Sequence, residues 1–480
     1  MKNKLKIIYI VCFFIMLCLP LALMPFFKND AKLEKRSLAK LPSYLSNGRL
    51  NLDFSDQFEA WANDHLPLRA HLLTVSNQIR GELLQGQTSN VIVGQDGWLF
   101  FASEAPDYLG TNALSEDQIR AMAVTLSLLQ EQTEKNGGHF LFVPVPNKSS
   151  VYPEYMPDRY QKSASSNLTR LSAVLPEYGV PFADLLTLLT DRKDEGLYHR
   201  RDSHWNYRGA LLACDSILTG LGRSHPVYEG APETVRQDWK GDLDQLLLPA
   251  GGTLDAQVYY DIAHADFTFT RPQNVRDPQA QLKNFMSDKE DHDDFFSTAN
   301  NALQDGSHLF MARDSFGRAL LPYMIDNYET ATFRRTDAPD LTELEAGTDV
   351  VFEIAERNLA RLIAKAPYLY APVREGISLE GLGQGPALEV HSDVSASGAH
   401  LYGALPDDAD LGDGRIYLLL EQEGTSVTLE AFPIYEQNLL DEAHPHGFSA
   451  YISSEHGLTG TYQLTIIAGG TAYPCASVDF

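Results

Sequence analysis

Three observations predict an α/β fold with a mostly parallel sheet and helices on both faces, plus a C-terminal all-β sandwich-like domain. Apolar strand-like runs alternate with helical periodicity up to about residue 371, the order expected of strands joined by crossover helices. From about residue 376 only short strand patterns separated by Asp, Gly and Pro turns recur. The 480 residues suffice for two large domains or about three of ordinary size. The resulting boundaries are a membrane segment over 1–28, an α/β domain over 29–371 and an accessory β domain over 372–480, for which carbohydrate binding is one use.

The elements follow from local pattern. Phe54, Phe58 and Trp61 recur at helical spacing, and residues 72–84 continue as helix. Residues 90–101 read as two short strands around a Gln95-Asp96-Gly97 turn. A long amphipathic helix over 115–135 starts at an N-cap, Ser115, and stops at Gly137-Gly138; the run HFLFVPV over 139–145 is a buried strand. Helices over 168–175 and 206–220 flank a short strand at 180–185. Residues 221–306 lack periodicity and read as a long insertion, of the kind that forms lids or local subdomains. A strand over 308–312, a helix over 318–325, a strand over 349–354 and a helix over 358–364 complete the domain. Strand patterns at 387–390, 414–421, 427–432 and 460–467 make up the C-terminal part.

Charge and cysteine usage narrow the function classes. Against 38 Lys and Arg stand 64 Asp and Glu, a net charge of −26, which repels phosphate backbones and argues against nucleic-acid binding. Lys2, Lys4 and Lys6 precede an apolar run over 7–27, long enough to cross a bilayer; it reads as an uncleaved signal anchor in preference to a removed signal peptide, with everything after Asn29 outside the cytoplasm. Cys12 and Cys18 lie in that run; Cys214 and Cys475 are compatible with one disulfide or with two separate buried thiols. The Cys and His spacings indicate no structural metal, and no cofactor is called for. Solvated acids are the better reading of Asp291-His292-Asp293-Asp294 than a cation site.

Chemistry concentrates in two motifs. A hydroxyl is a poor nucleophile until a base takes its proton, and an imidazole serves better when a carboxylate sets its tautomer. Asp202 and His204, two residues apart in RDSHW, supply acid and base from one face of an extended segment. Ser315, in RDSF, sits where the strand HLFMA gives way to a helix, a place where a side chain is presented at the carboxyl edge of a parallel sheet. Taken singly, each motif has a bland reading: a surface pair for the first, a helix N-cap for the second.

Taken together, the exported topology, YHRRDSHWNYRGA, RDSFG, VVFEIAERNL, DFSDQFEAWANDHLPLR and VIVGQDGWLFF resemble the AlgX/AlgJ-type alginate O-acetylation proteins of the SGNH-hydrolase-like superfamily, also called DHHW proteins. The resemblance covers about residues 34–371, with Ser203 where the nickname has a second histidine. It implies an SGNH-like fold and a Ser315–His204–Asp202 triad that moves acetyl groups through an acyl-enzyme to a polysaccharide acceptor, with a polytopic membrane acyltransferase as acetyl donor. Asn147, Lys148 and Arg313 are oxyanion or substrate candidates, each with a structural role as the alternative. Glu353, Glu356 and Arg357 read as a buried ion-pair network. His199, Arg200 and Arg201 form a small basic cluster beside the proposed site, and Tyr402, Tyr417 and Tyr435 read as core packing or sugar-stacking rings. Two alternatives remain: a carbohydrate acetylesterase, and a non-catalytic glycan-binding or scaffold protein.

Overall fold

The computed structural model describes residues 38–480 apart from 47–48, 67–68, 80–87, 89, 287–294, 396–397 and 436–445, together with scattered residues between 6 and 18. The anchor segment therefore falls mostly, and the acids at 291–294 entirely, outside the described residues. Among those described, no helix is long and apolar enough to cross a membrane.

Strands β1 (Val91–Val93) and β2 (Leu99–Phe101) form the expected hairpin. Helix α1 (Glu116–Lys135) is capped by Ser115, whose hydroxyl accepts the Gln118 N–H while Gln118 returns a bond to the Ser115 N–H. It leads into β3 (Phe140–Val145), buried along its whole length. Helix α2 (Tyr207–Gly220) follows, capped by Asn206. The expected strand at 180–185 reduces to a single bridge, Phe142 to Phe182, because Asp184 accepts the Thr187 N–H and starts a helix at Leu185.

The insertion holds more structure than its sequence pattern promised. Strands β4 (Glu233–Trp239) and β5 (Asp255–Tyr260) pair as a hairpin that encloses helix α3 (Asp242–Leu247). Strands β6 (Phe267–Arg271) and β7 (Phe295–Asn300) join the main sheet. With β8 (His308–Arg313), β9 (Thr330–Arg335) and β10 (Thr348–Ala355), that sheet has six strands in the order β3-β10-β8-β9-β7-β6. The pairs β3/β10, β10/β8 and β8/β9 are parallel, whereas β9/β7 and β7/β6 are antiparallel. The sheet is thus mixed: three of its five pairs are parallel, and both antiparallel pairs are made by β7, an insertion strand that runs against its two neighbours.

Side chains alternate between two buried faces. Phe142, Phe310 and Phe352 pack beneath α1, and Leu141, Met311 and Val351 pack toward α2. The first of these cores continues into the C-terminal β region through Leu418, Leu429 and Phe432. That region is one continuous ten-stranded, largely antiparallel sheet and not two independent sheets. Its strand Thr425–Ile434 pairs with Ile416–Gln422 along its first part and with Gly447–Ser453 through its last three residues. Arg374 ties the two regions together, donating to Glu131 on α1 and to the buried Glu430. Cys214 and Cys475 are separate buried thiols. Tyr435 is core, with Tyr402 and Tyr417 half-buried.

Candidate active site

Ser315 follows β8 at the carboxyl end of a strand flanked on both sides by parallel neighbours. The next residues form a 3-10 turn, Phe316–Leu320, which passes into a helix over Leu321–Asp326. Capping falls to Asp314, whose carboxylate accepts the N–H groups of Phe316 and Ala355 and the Asn358 amide. That division of labour leaves the Ser315 hydroxyl available to another partner.

The partner is His204, whose Nε2 lies 2.8 Å from Ser315 Oγ. Nδ1 of the same ring lies 2.7 Å from Asp202 Oδ1. Residues 202–204 do not run extended, as the spacing implied. Asp202 Oδ1 also accepts the His204 N–H, so the segment closes as a tight turn that brings carboxylate and imidazole together locally. Trp205 then joins this turn to the serine turn, donating from Nε1 to the Phe316 carbonyl and meeting the Phe316 ring edge-on.

The second oxygen of Asp202 accepts Trp239 Nε1 and the Asp242 N–H, both at 3.0 Å. Burial alone would raise this carboxyl; its bond to His204, the charges of His204 and His199, and the Asp242 N–H outweigh burial and hold it well below the usual range. An ionised Asp202 only accepts, so Nδ1 carries the hydrogen and the bare Nε2 faces the serine. Burial pulls the His204 imidazole down, but Asp202 and Asp242 win and raise it above 6.5. Asp202, His204 and Asp242 are also close enough to suit a cation; the bonds just described already engage the ligand atoms of Asp202 and His204, and the Asp242 carboxylate accepts from Ser203.

Both motifs border a cavity of about 1040 Å³. Arg313, Arg334, Arg335, Arg357 and Arg361 line it together with Asp242, Asp314, Asp337 and Glu353, so an acidic protein gathers arginines at this pocket. Arg357 lies over the Phe101 and Phe316 rings, and its buried Nη1 has no hydrogen-bond partner among the described residues. Glu353 accepts the Asp314 N–H; burial and the neighbouring Asp314 charge push its carboxyl well above the usual range. Glu356 accepts from Asn147 and Ser150. The expected ion-pair network thus divides into carboxyls that hold backbone and an arginine that faces the cavity.

The other candidates divide likewise. Arg313 lines the cavity and donates to the Asp314 carbonyl. Asn147 and Lys148 are fully buried and not among the lining residues. Asn147 donates to Asp107. Lys148 Nζ donates to the carbonyls of His199, Arg200 and Asp202, clamping the turn that carries acid and base. Neither lines the cavity that holds Ser315. His199 is likewise buried, stacked on Trp239, and does not offer a surface basic patch with Arg200 and Arg201.

Sequence reasoning missed Trp239 and Asp242, which arrive from the insertion in the run WKGD. Gly241 was the legible signal: a Cβ there would stand 2.1 Å from the Arg201 carbonyl oxygen, so only glycine lets the insertion approach the acid–base turn. Gly241→Ala is expected to lower unfolding free energy by about 1–3 kcal/mol, read from urea melts, with loss of whatever activity the turn supports.

Comparison with known proteins places this site in context. Residues 91–302 match the model of the SGNH hydrolase-like domain of the acetyltransferase AlgX, a stretch that includes Asp202 and His204 and ends before Ser315. A probable alginate O-acetylase AlgJ of Pseudomonas syringae pv. tomato is 26% identical over 223 residues, 44% of this chain and 55% of that protein. Its namesake of Pseudomonas aeruginosa is 26% identical over 215 residues, 42% and 51% of the two chains. The chain thus spans about half the length of these relatives. Among solved structures, Bacillus cereus PatB1 has a TM-score of 0.44 at 17% identity, covering 55% of this chain and 95% of its own. The O-acetyltransferase domain of Pseudomonas putida AlgJ has a TM-score of 0.37 at 17% identity, with 56% and 92% covered. By its SGNH hydrolase-like domain and the AlgJ proteins it matches, the chain is similar to the AlgX/AlgJ-type family.

Proposed function

We propose that the protein is an extracytoplasmic polysaccharide O-acetyltransferase, held to the membrane by residues 7–27, that works through an acyl-enzyme on Ser315. The unbroken chain Ser315 Oγ, His204, Asp202, with contacts of 2.8 and 2.7 Å at an arginine-lined cavity, carries this reading. In the first half-reaction Oγ attacks the acetyl carbonyl and its proton passes to Nε2. The tetrahedral oxyanion forms beside Arg357, whose unpartnered Nη1 supplies a donor. Collapse expels the donor's leaving group, which takes the proton from Nε2. A sugar hydroxyl then gives its proton to Nε2 and attacks the acetyl-serine, and return of that proton to Oγ frees the product ester. A polytopic membrane acyltransferase delivering the acetyl group is the partner this topology suits.

The test is turnover of a chromogenic acetyl ester by the full-length protein in detergent, followed by addition of oligosaccharides. Acetylated oligosaccharide, detected as a mass gain, supports transfer; release of free acetate alone points to an esterase, and no turnover of any acetyl donor rejects the reading. Because the base must be neutral and its proton affinity is raised, kcat/KM is expected to climb with pH through an inflection above 6.5 and level off beyond it. An inflection below 6.5 would contradict the assignment of His204 as base.

A further inference from the structure

We propose that Asp242, supplied by the insertion, is a positioning residue that acts through His204 as a second carboxylate in the acid–base step; this rests on the acyl-transfer reading above. Asp242 Oδ1 accepts the Ser203 N–H at 2.7 Å, and Oδ2 accepts the Ser203 hydroxyl at 2.5 Å while standing 3.7 Å from His204 Nδ1. Its own N–H holds Asp202. One residue therefore touches all three members of the turn: acid through its backbone, Ser203 through both carboxylate oxygens, and base through space.

The chemistry needs such a group at a defined moment. When Oγ gives its proton to Nε2, a cation appears on a ring only partly open to water, with a side-chain exposure of 21%. Asp202 faces that ring from its own turn, Asp242 from the start of α3, Arg357 from the segment after β10, and the Ser315 hydroxyl and Phe316 ring from the turn after β8. Two carboxylates against one guanidinium leave the site net negative at the imidazolium. The Ser203 hydroxyl donates to Asp242 and lies 3.2 Å from His204 Nδ1, fixing that carboxylate while keeping it 3.7 Å from Nδ1, too far to compete with Asp202 for the hydrogen. The insertion is accordingly a buttress of the acid–base pair, a role distinct from that of a lid.

Full-length Asp242→Asn, assayed with a chromogenic acetyl ester, is expected to lose about tenfold in kcat with KM little changed. Its acid limb should move to lower pH, since removing a negative charge lowers the imidazole's proton affinity. Asp242→Glu should recover part of the rate. The His204 titration is read independently by NMR on ¹³C-histidine-labelled protein, its signal assigned by loss in His204→Gln. A lower midpoint in Asp242→Asn supports the inference even if no acetyl ester is turned over, an outcome that would reject only the acyl-transfer reading. An unchanged midpoint in a folded Asp242→Asn overturns it; should that variant not fold, an unchanged midpoint in Asp242→Ser, which also removes the charge, does so.

Discussion

Ser315→Ala is expected to cut acetyl-ester turnover of the full chain by at least about a thousandfold while leaving the melting transition unchanged. The size follows from the role: without Oγ no acyl-enzyme forms, and only the positioning and charge of the cavity remain to assist direct attack by water. The selectivity follows from the local structure. Asp314, not Ser315, satisfies the amides of the turn, so deleting one hydroxyl at a cavity wall removes no cap and leaves no buried backbone group unbonded. Turnover rates measured beside thermal melts decide the matter. Substantial residual activity would exclude Ser315 as nucleophile, and a large drop in stability would assign it a structural part instead.

Lys148→Met should produce the largest stability loss. The ammonium is fully buried and donates to three carbonyls, of which Arg200's also receives the Leu99 N–H. Methionine fills similar space but offers no donor. The carbonyls of His199 and Asp202 then lose their lysine bond, at about 1–3 kcal/mol each, partly offset by no longer burying a charge. A net loss of about 3 kcal/mol is expected from urea melts at pH 7. Burial lowers the ammonium to about 8, against nearby Glu104, Asp202, Asp242 and Asp255, which raise it. Its folded value being depressed, this group's contribution is fully present above the ordinary 10.5 and is lost as pH falls through about 8. The gap between wild type and variant should therefore widen as pH rises from 8 to 10.5. A gap that stays constant would mean that Lys148 does not titrate differently in the folded state.

Much of this architecture was legible along the chain because local rules suffice for it. Ser115 and Gly137 bracket a helix by capping chemistry that needs no distant partner, and the unbroken apolar run at 140–145 identifies a strand covered on both sides. The insertion resisted reading for an equally physical cause. In FTFTR and FFSTAN the buried positions include Thr298 and Asn300, so a strand of the central sheet carries no strong apolar signal. Asn147 and Lys148 follow a strand, but position in sequence does not say on which side of the sheet edge a side chain finds its bonds. Residue type alone did not tell that Lys148 would spend its three hydrogens on carbonyls of the neighbouring turn.

Composition, motif spacing and strand order by themselves determined the class of chemistry on offer: a hydroxyl at the end of a strand, and a carboxylate–imidazole pair two residues apart. Only the folded chain decided that these meet, across 111 residues, at 2.8 Å, and that the insertion provides the tryptophan and aspartate gripping the acid. Hydrogen bonds act over ångströms. Separation along the polypeptide carries no record of them until packing of the sheet and approach of Gly241 bring the segments within reach.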